Sequence, residues 1–246
     1  MKKLGIGCLS ILGILVILGI IGFVMNNESL PEGQTGTEAE ALAQKMVDRI
    51  NINAWDTLNY ASWSFMDEHH YIWNKKNNDA VISWADNKVV MDLDEVAGKV
   101  MVGGAEVQDA EQKAKLISKA WGYWCNDSFW FGAPYKVFDK GTQRSVVKTD
   151  EGKDALMISY TGGGVTPGDS YMWLLDETGM PYAYKMWVKI LPLGGIKAQW
   201  TDWLTLPGGA MVAQNHSIAG MMNVKITNIK AGDSISDLGL TTDPFQ

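Results

Sequence analysis

The sequence predicts an α+β protein with one large curved antiparallel β-sheet, a half-barrel of about eleven strands whose concave face is covered by two helices, plus one N-terminal transmembrane helix. Three observations predict this architecture. Short segments that alternate polar and apolar residues follow one another through most of the chain, separated by turns rich in Gly, Asn and Asp. Two segments have helical periodicity instead. The chain also starts with a long uncharged apolar run.

That apolar run, residues 4–25, is long enough to cross a bilayer as a helix. Lys2 and Lys3 precede it, so the positive-inside rule places the N-terminus in the cytoplasm and everything beyond the run outside. The run exceeds the apolar core of a cleaved signal peptide, and no small-x-small cleavage site follows it. Cys8 lies near its start, whereas a lipoprotein signal has its cysteine at the end. We therefore predict that residues 1–25 are an uncleaved signal anchor, a single pass through the inner (cytoplasmic) membrane.

The remainder of the chain is acidic and belongs to one domain. Without Lys2 and Lys3 it has 19 basic and 28 acidic residues, a net charge of −9, which excludes nucleic acid as a partner and disfavours electrostatic docking on anionic lipid. Residues 26–37 are polar and contain Pro and Gly, as in a flexible linker. Residues 38–246 form the extracytoplasmic, or periplasmic, domain, which has a single cysteine and hence no internal disulfide.

Helices and strands can be assigned along this domain from their periodicity. Residues 38–51 form the first predicted helix. Residues 109–124 form the second, which Asp109 caps and which Asn126 or Asp127 ends. The alternating segments are, in order, NYASWSF, HHYIWNK, AVISWAD, KVVMDL, the hairpin GKVMVGGAEV, and then RSVVKT, DALMISY, SYMWLLD, PYAYKMWVKI, IKAQWTDWLTL, AMVAQNHSI and MNVKITNI.

The stretches SYMWLLDETGMPYAYKMWV (170–188) and QWTDWLTLPGGAMV (199–212) have a strand, hairpin and strand order followed by a proline-containing turn. In this order of elements the chain resembles the superfamily of the lipoprotein carrier LolA and the lipoprotein receptor LolB. It is also similar to membrane-anchored envelope proteins with the phrases CNDSFWFGAP and GGGVTPGDSYMW. The resemblance implies that residues 38–246 are an unclosed β-barrel whose helices cover an apolar cavity for the acyl chain of a lipid or lipoprotein.

The stretch AWGYWCNDSFWFGAP, residues 120–134, is the most aromatic part of a chain with eleven tryptophans. Its helical part points an apolar stripe at the concave sheet, and its second part is predicted to be a loop, closed by Pro134, that forms a lid. The stretch is either the wall of a ligand pocket or a plug in a solid core. On the first interpretation, the pocket residues are Trp121, Trp124, Phe129, Trp130, Trp63 and Trp173.

No catalytic or metal-binding motif occurs in the sequence. It has no H-E-x-x-H, C-x-x-C or G-x-S-x-G. In DEHH, residues 67–70, consecutive strand residues point to opposite faces, so the two histidines cannot share an ion and we interpret the cluster as a solvated turn. The glycine-rich residues 161–170 precede a strand and have no lysine, which indicates a rim loop and not a phosphate site. We expect neither a metal nor a cofactor.

Two side chains remain as candidates for catalysis. Cys125 is predicted at a helix C-terminus, where the helix dipole disfavours a thiolate, and is interpreted as a small buried hydrophobic residue. His216 could act as a general base paired with Asp202, which would make the protein a hydrolase. No nucleophile elbow accompanies this pair, so we expect that the protein is not an enzyme.

The function that we predict is therefore binding. The protein is expected to hold a lipid, acyl chain or other apolar ligand in its half-barrel, anchored in the membrane by residues 4–25, in envelope lipid or lipoprotein trafficking. The alternative is a structural or protein-interaction module with a solid core and no ligand. A cavity larger than about 300 Å³ would favour the first function.

Overall fold

The computed structural model describes residues 27–162 and 167–246. The predicted anchor, residues 1–25, and the centre of the predicted rim loop, residues 163–166, lie outside the described residues. Three α-helices are present in the described part: α1 (Thr37–Arg49), α2 (Ile52–Thr57) and α3 (Ala110–Gly132). The strands are β1 (Tyr60–Phe65), β2 (His69–Asn74), β3 (Asp79–Trp84), β4 (Asn87–Asp92), β5 (Ala97–Val102), β6 (Ala105–Glu106), β7 (Thr142–Lys148), β8 (Asp154–Tyr160), β9 (Ser170–Leu175), β10 (Pro181–Trp187), β11 (Ile196–Thr205), β12 (Met211–Ile218) and β13 (Met222–Gly232).

All thirteen strands belong to one open antiparallel sheet within the described residues, in the order β6-β5-β4-β3-β2-β1-β13-β12-β11-β10-β9-β8-β7. Two meanders, β1–β6 and β7–β13, are joined where β1 pairs with β13, for example at Ala61 and Ala231. The α+β class and the antiparallel sheet are thus as predicted. The strand number exceeds about eleven because the Gly103-Gly104 hairpin adds the two-residue β6 and every candidate segment of the second half pairs.

The helix α3 is longer than the sequence indicates. It continues through Asn126 and Asp127, the residues predicted to end it, as far as Gly132, and a 3₁₀ turn, Ala133–Lys136, follows. The Asp127 carboxylate accepts hydrogen bonds from distant residues and so does not compete with the helix backbone. The predicted apolar loop of Phe129, Trp130 and Phe131 is therefore wrong: these side chains belong to the last turns of α3.

Aromatic stacking fastens α3 to the first meander. The Phe131 ring lies parallel to Trp63 of β1 with 4.4 Å between ring centroids, and Trp63 in turn stacks on Tyr71 of β2 at 4.9 Å. Trp55 of α2 stacks on Tyr135 at 4.2 Å. These rings belong to one continuous core that fills most of the space between α3 and the first meander.

Residues 27–36, predicted to be a flexible linker, contact the second meander. Gln34 exchanges two backbone hydrogen bonds with Val146 at the exposed edge of β7, at 2.9 and 2.8 Å. The Glu28 carboxylate forms an ion pair with Lys185 of β10 at 2.7 Å. The edge strand supplies the unpaired backbone groups that hold this segment. The domain boundary at residue 38 stays a prediction.

In residues 27–162 and 167–246 no helix is both long enough and apolar enough to cross a membrane.

Candidate ligand-binding cavity

An open cavity of about 1450 Å³ lies between α3 and the second meander. Its walls come from one face of α3, from the strands β8 to β13 and the connections between them, and from Phe65 and Met66 at the end of β1. Apart from the charged groups at its rim, most of the side chains that line it are apolar or aromatic. The core therefore fills the space beside the first meander but not the space beside the second.

The spacing of residues along α3 explains its contribution. Trp121, Trp124, Cys125, Ser128 and Phe129 all line the cavity. Each of them has another member of the set three or four positions away, so together they form one stripe along the helix. Because α3 extends to Gly132, this stripe has two more turns than the sequence predicts, and the cavity wall is correspondingly longer.

Four of the six predicted pocket residues line this cavity: Trp121, Trp124, Phe129 and Trp130. The other two do not, and they correct the prediction. Trp63 is 1% exposed and lies between the rings of Phe131 and Tyr71. Trp173 is 0% exposed, and its ring centroid is 5.0 Å from those of both Tyr184 and Trp200. Alternation along a strand indicates which face a tryptophan is on, but not whether a second aromatic layer covers it.

Three tyrosines that the sequence analysis did not select form the sheet side of the cavity: Tyr160, Tyr171 and Tyr184. The Phe129 ring reaches Tyr171 at 4.6 Å, and Tyr171 is 5.2 Å from Tyr184. Burial raises the pKa of all three phenols above its usual value, so each is neutral at physiological pH. The cavity floor is thus uncharged. These tyrosines could have been predicted from the sequence because they lie on three successive predicted strands, in the segments ISY, SYMW and AYKMW.

Charged side chains occur at the rim of the cavity in equal numbers. Lys136, Lys140 and Lys197 are the basic ones, and the acidic ones are Glu28, Asp139 and Asp169. Lys136 pairs with Asp139 at 3.3 Å. The rim therefore shows no preference for a strongly anionic or cationic ligand.

A polar cluster outside the cavity fixes α3 to β2. The Asp127 carboxylate is 1% exposed, lies 2.6 Å from the His69 Nδ1 atom and accepts a hydrogen bond from the Tyr71 hydroxyl at 2.5 Å. Asn126 donates to its other oxygen at 2.8 Å. The interpretation of residues 67–70 as a solvated turn is wrong for His69, which begins β2. The pKa of Tyr71 is raised by burial and by the Asp127 charge, so this hydroxyl stays a donor.

His216 is buried in the core, and Cys125 is a half-buried residue of the cavity wall. His216 is 0% exposed, its ring meets Trp200 edge-on at 4.3 Å, and burial lowers its pKa to about 4. Its Nδ1 lies 3.3 Å from the Val224 carbonyl, and among the described residues no hydrogen bond joins it to Asp202. Cys125 lies inside α3 and not at a helix end, and burial raises the pKa of its thiol to about 11. In the described part of the chain no cluster of His, Cys, Asp and Glu is arranged to hold a metal.

The burial of His216 predicts a pH dependence of stability. Its pKa is about 4 in the folded state and about 6.5 when unfolded, so the unfolded state binds the proton more readily and stability falls as pH decreases from 6.5 towards 4. We expect a loss of roughly 3 kcal/mol between pH 7 and pH 4 from this group. Urea denaturation across this range measures it. His216→Gln should remove that part of the slope, and His70→Gln, at an exposed position, should retain it.

No protein-family model and no curated protein matches the sequence. Among solved structures, the fold is similar to the crystal structure of a DUF1329 family protein from Desulfovibrio piger, with a TM-score of 0.42 and 11% sequence identity over 82% of this chain and 96% of that chain. This likeness is too low to assign a family or a function. Membership of the LolA and LolB superfamily stays a prediction.

Proposed function

We propose that this protein is a membrane-anchored extracytoplasmic binding protein that holds a lipid, an acyl chain or another apolar ligand in the cavity beside α3. In this proposal the sheet is a LolA-like half-barrel, residues 4–25 anchor it in the inner membrane, and its role is in envelope lipid or lipoprotein trafficking. The observation that carries the proposal is the open cavity of about 1450 Å³ with apolar and aromatic walls.

The size of the cavity supports this function over that of an interaction module with a solid core. Pockets for small molecules have volumes of about 300–1,000 Å³, whereas voids in a packed interior are rarely larger than a water molecule. The cavity exceeds the first range. It is therefore large enough for a long apolar molecule.

The binding energy would come from burial of apolar surface. Each Å² of ligand removed from water contributes about 25 cal/mol, so an acyl chain enclosed by the α3 stripe and the tyrosine floor needs no charged partner. The raised pKa values of the three tyrosines keep that floor uncharged over the physiological range. The mechanism is reversible transfer, without a covalent step.

Photo-crosslinking in the intact membrane tests this function. A benzophenone amino acid would replace Trp121, which lines the cavity, or Trp203, which is also half-buried but lies outside its lining. In cells fed with labelled acetate, we expect several-fold more labelled lipid attached at position 121 than at position 203. Equal labelling at the two positions would contradict the proposal, and a crosslink from position 121 to another protein would favour the interaction module.

A further inference from the structure

Four exposed apolar side chains surround the opening of the cavity, and we name them the lip: Ile190, Leu191, Met221 and Met222. Their exposed fractions are 71%, 36%, 88% and 53%, and all four also line the cavity. Isolated apolar residues on a surface are common, but a group of them at the entrance to an apolar cavity indicates an interaction surface.

The sheet topology places the lip at one end of four neighbouring strands. Ile190 and Leu191 belong to the connection between β10 and β11, Met221 belongs to the tight turn between β12 and β13, and Met222 begins β13. The end of β12 pairs with the start of β11, where Ile218 faces Ala198, so both connections lie at the same end of the sheet. The lip is therefore one surface formed by two turns.

The first described residues of the chain are bonded to the same connection. The Asn27 side-chain oxygen accepts a hydrogen bond from the Gly194 N–H at 2.8 Å, and the Glu28 N–H donates to the Gly194 carbonyl at 3.1 Å. The Trp187 indole N–H donates to the Glu28 carbonyl at 2.8 Å. The apolar run ends at residue 25, and two residues of extended chain span at most about 7 Å. A bilayer crossed by that run must therefore begin close to the lip.

We propose that the lip inserts into the bilayer that holds residues 4–25, so that the cavity opens directly into the outer leaflet of that bilayer. This inference rests on the proposed function, because it needs the membrane anchor. A ligand then passes between the bilayer and the cavity without crossing water. Since basic and acidic side chains at the rim are equal in number, insertion depends on apolar contact and not on anionic lipid. It should therefore be insensitive to salt.

Fluorescence quenching by brominated lipid tests the insertion. The full-length chain, with Cys8→Ser and Cys125→Ser, would have one new cysteine at Ile190 or Met221, labelled with an environment-sensitive dye, in phosphatidylethanolamine vesicles with or without phosphatidylglycerol. We expect brominated acyl chains to reduce the fluorescence at both positions by about twofold or more, in low and high salt alike. A label at Ala97, an exposed residue of β5, is the control and should keep its fluorescence.

A second set of variants distinguishes insertion of the lip from a labelling artefact. With the dye at Met222, Ile190→Glu together with Met221→Glu should abolish quenching, whereas Tyr182→Glu, at an exposed aromatic residue outside the cavity lining, should leave it unchanged. Absence of quenching at positions 190 and 221, or equal quenching at position 97, would overturn the inference. The inference would also be overturned if the dye were shielded from the brominated lipid and its fluorescence depended on the density of protein in the vesicles. That result would indicate that a second copy of the chain covers the lip.

The two proposals fail in different ways. Lipid crosslinked at Trp121 without quenching at the lip would leave the ligand-binding function standing and remove the insertion. Quenching at the lip without lipid at Trp121 would establish membrane contact and refute the ligand.

Discussion

Replacing Asp127 with alanine is expected to lower the free energy of unfolding by about 2–4 kcal/mol. The substitution leaves the buried Tyr71 hydroxyl without its acceptor and removes the charged partner that lies 2.6 Å from His69. Because Asp127 lies in the C-terminal part of the cavity-forming helix and its partners lie on β2, the loss also weakens the attachment of α3 to the sheet. A domain of ordinary stability has only about 5–15 kcal/mol to lose.

Urea denaturation of residues 26–246, released from the full chain by a protease site inserted after residue 25, measures this change. Asp127→Asn keeps an oxygen for the Tyr71 hydroxyl and should cost less than Asp127→Ala. Asp154→Ala removes an exposed ion pair with Lys148 and should change the free energy by less than about 1 kcal/mol. If Asp127→Ala were as mild as Asp154→Ala, the polar cluster would not hold α3 in place.

Trp63→Ala is expected to have the second large effect, a loss of about 3–5 kcal/mol of stability. Trp63 is 1% exposed and stacks with Phe131 and Tyr71, so its removal leaves a void in the packed half of the core. Trp121→Ala, at a half-buried residue of the cavity wall, should cost less than about 2 kcal/mol.

The two variants should affect the amount of bound lipid in the order opposite to their effects on stability. Protein that remains folded after Trp63→Ala should still contain lipid, whereas Trp121→Ala should contain less lipid at nearly unchanged stability. Denaturation curves and lipid extraction from the same preparations compare the two variants. A Trp121→Ala protein that is as unstable as Trp63→Ala and retains its lipid would show that Trp121 belongs to the core and not to the cavity wall.

The strand segments were largely accessible from the sequence, because most of them alternate and most of the turns between them are short. The sequence also places the aromatic stretch 120–134 against the sheet. The sequence could not reveal where α3 ends. Asp127 is bonded to His69 and Tyr71, which are more than fifty positions away in the chain and become its neighbours only in the folded protein.

Local backbone geometry explains another difference. Trp200 and Trp203 are three residues apart on β11, so the regular alternation of a strand would place them on opposite faces of the sheet. In the structure Asp202 has a left-handed backbone, with φ 56°, which interrupts the alternation. The two indole rings therefore approach each other to 6.2 Å. A positive φ at an aspartate depends on tertiary context and has no clear signature in the sequence.

The cavity itself was the least accessible feature. Trp173 of β9 and Trp130 of α3 both have apolar neighbours in the sequence, yet Trp173 lies beneath other rings and Trp130 lines the cavity. What distinguishes them is whether the helix and the sheet pack closely at that point, and this depends on many tertiary contacts. Sequence periodicity gives the face of a strand but not the depth of the layer above it.

Native mass spectrometry of the released domain, prepared without detergent, tests the central claim most directly. We expect the wild-type protein to retain an adduct of lipid mass, which Trp121→Ala loses and Trp203→Ala keeps. If the folded wild-type domain had the mass of the protein alone in every detergent-free preparation, the proposal that the cavity is a lipid site would be contradicted.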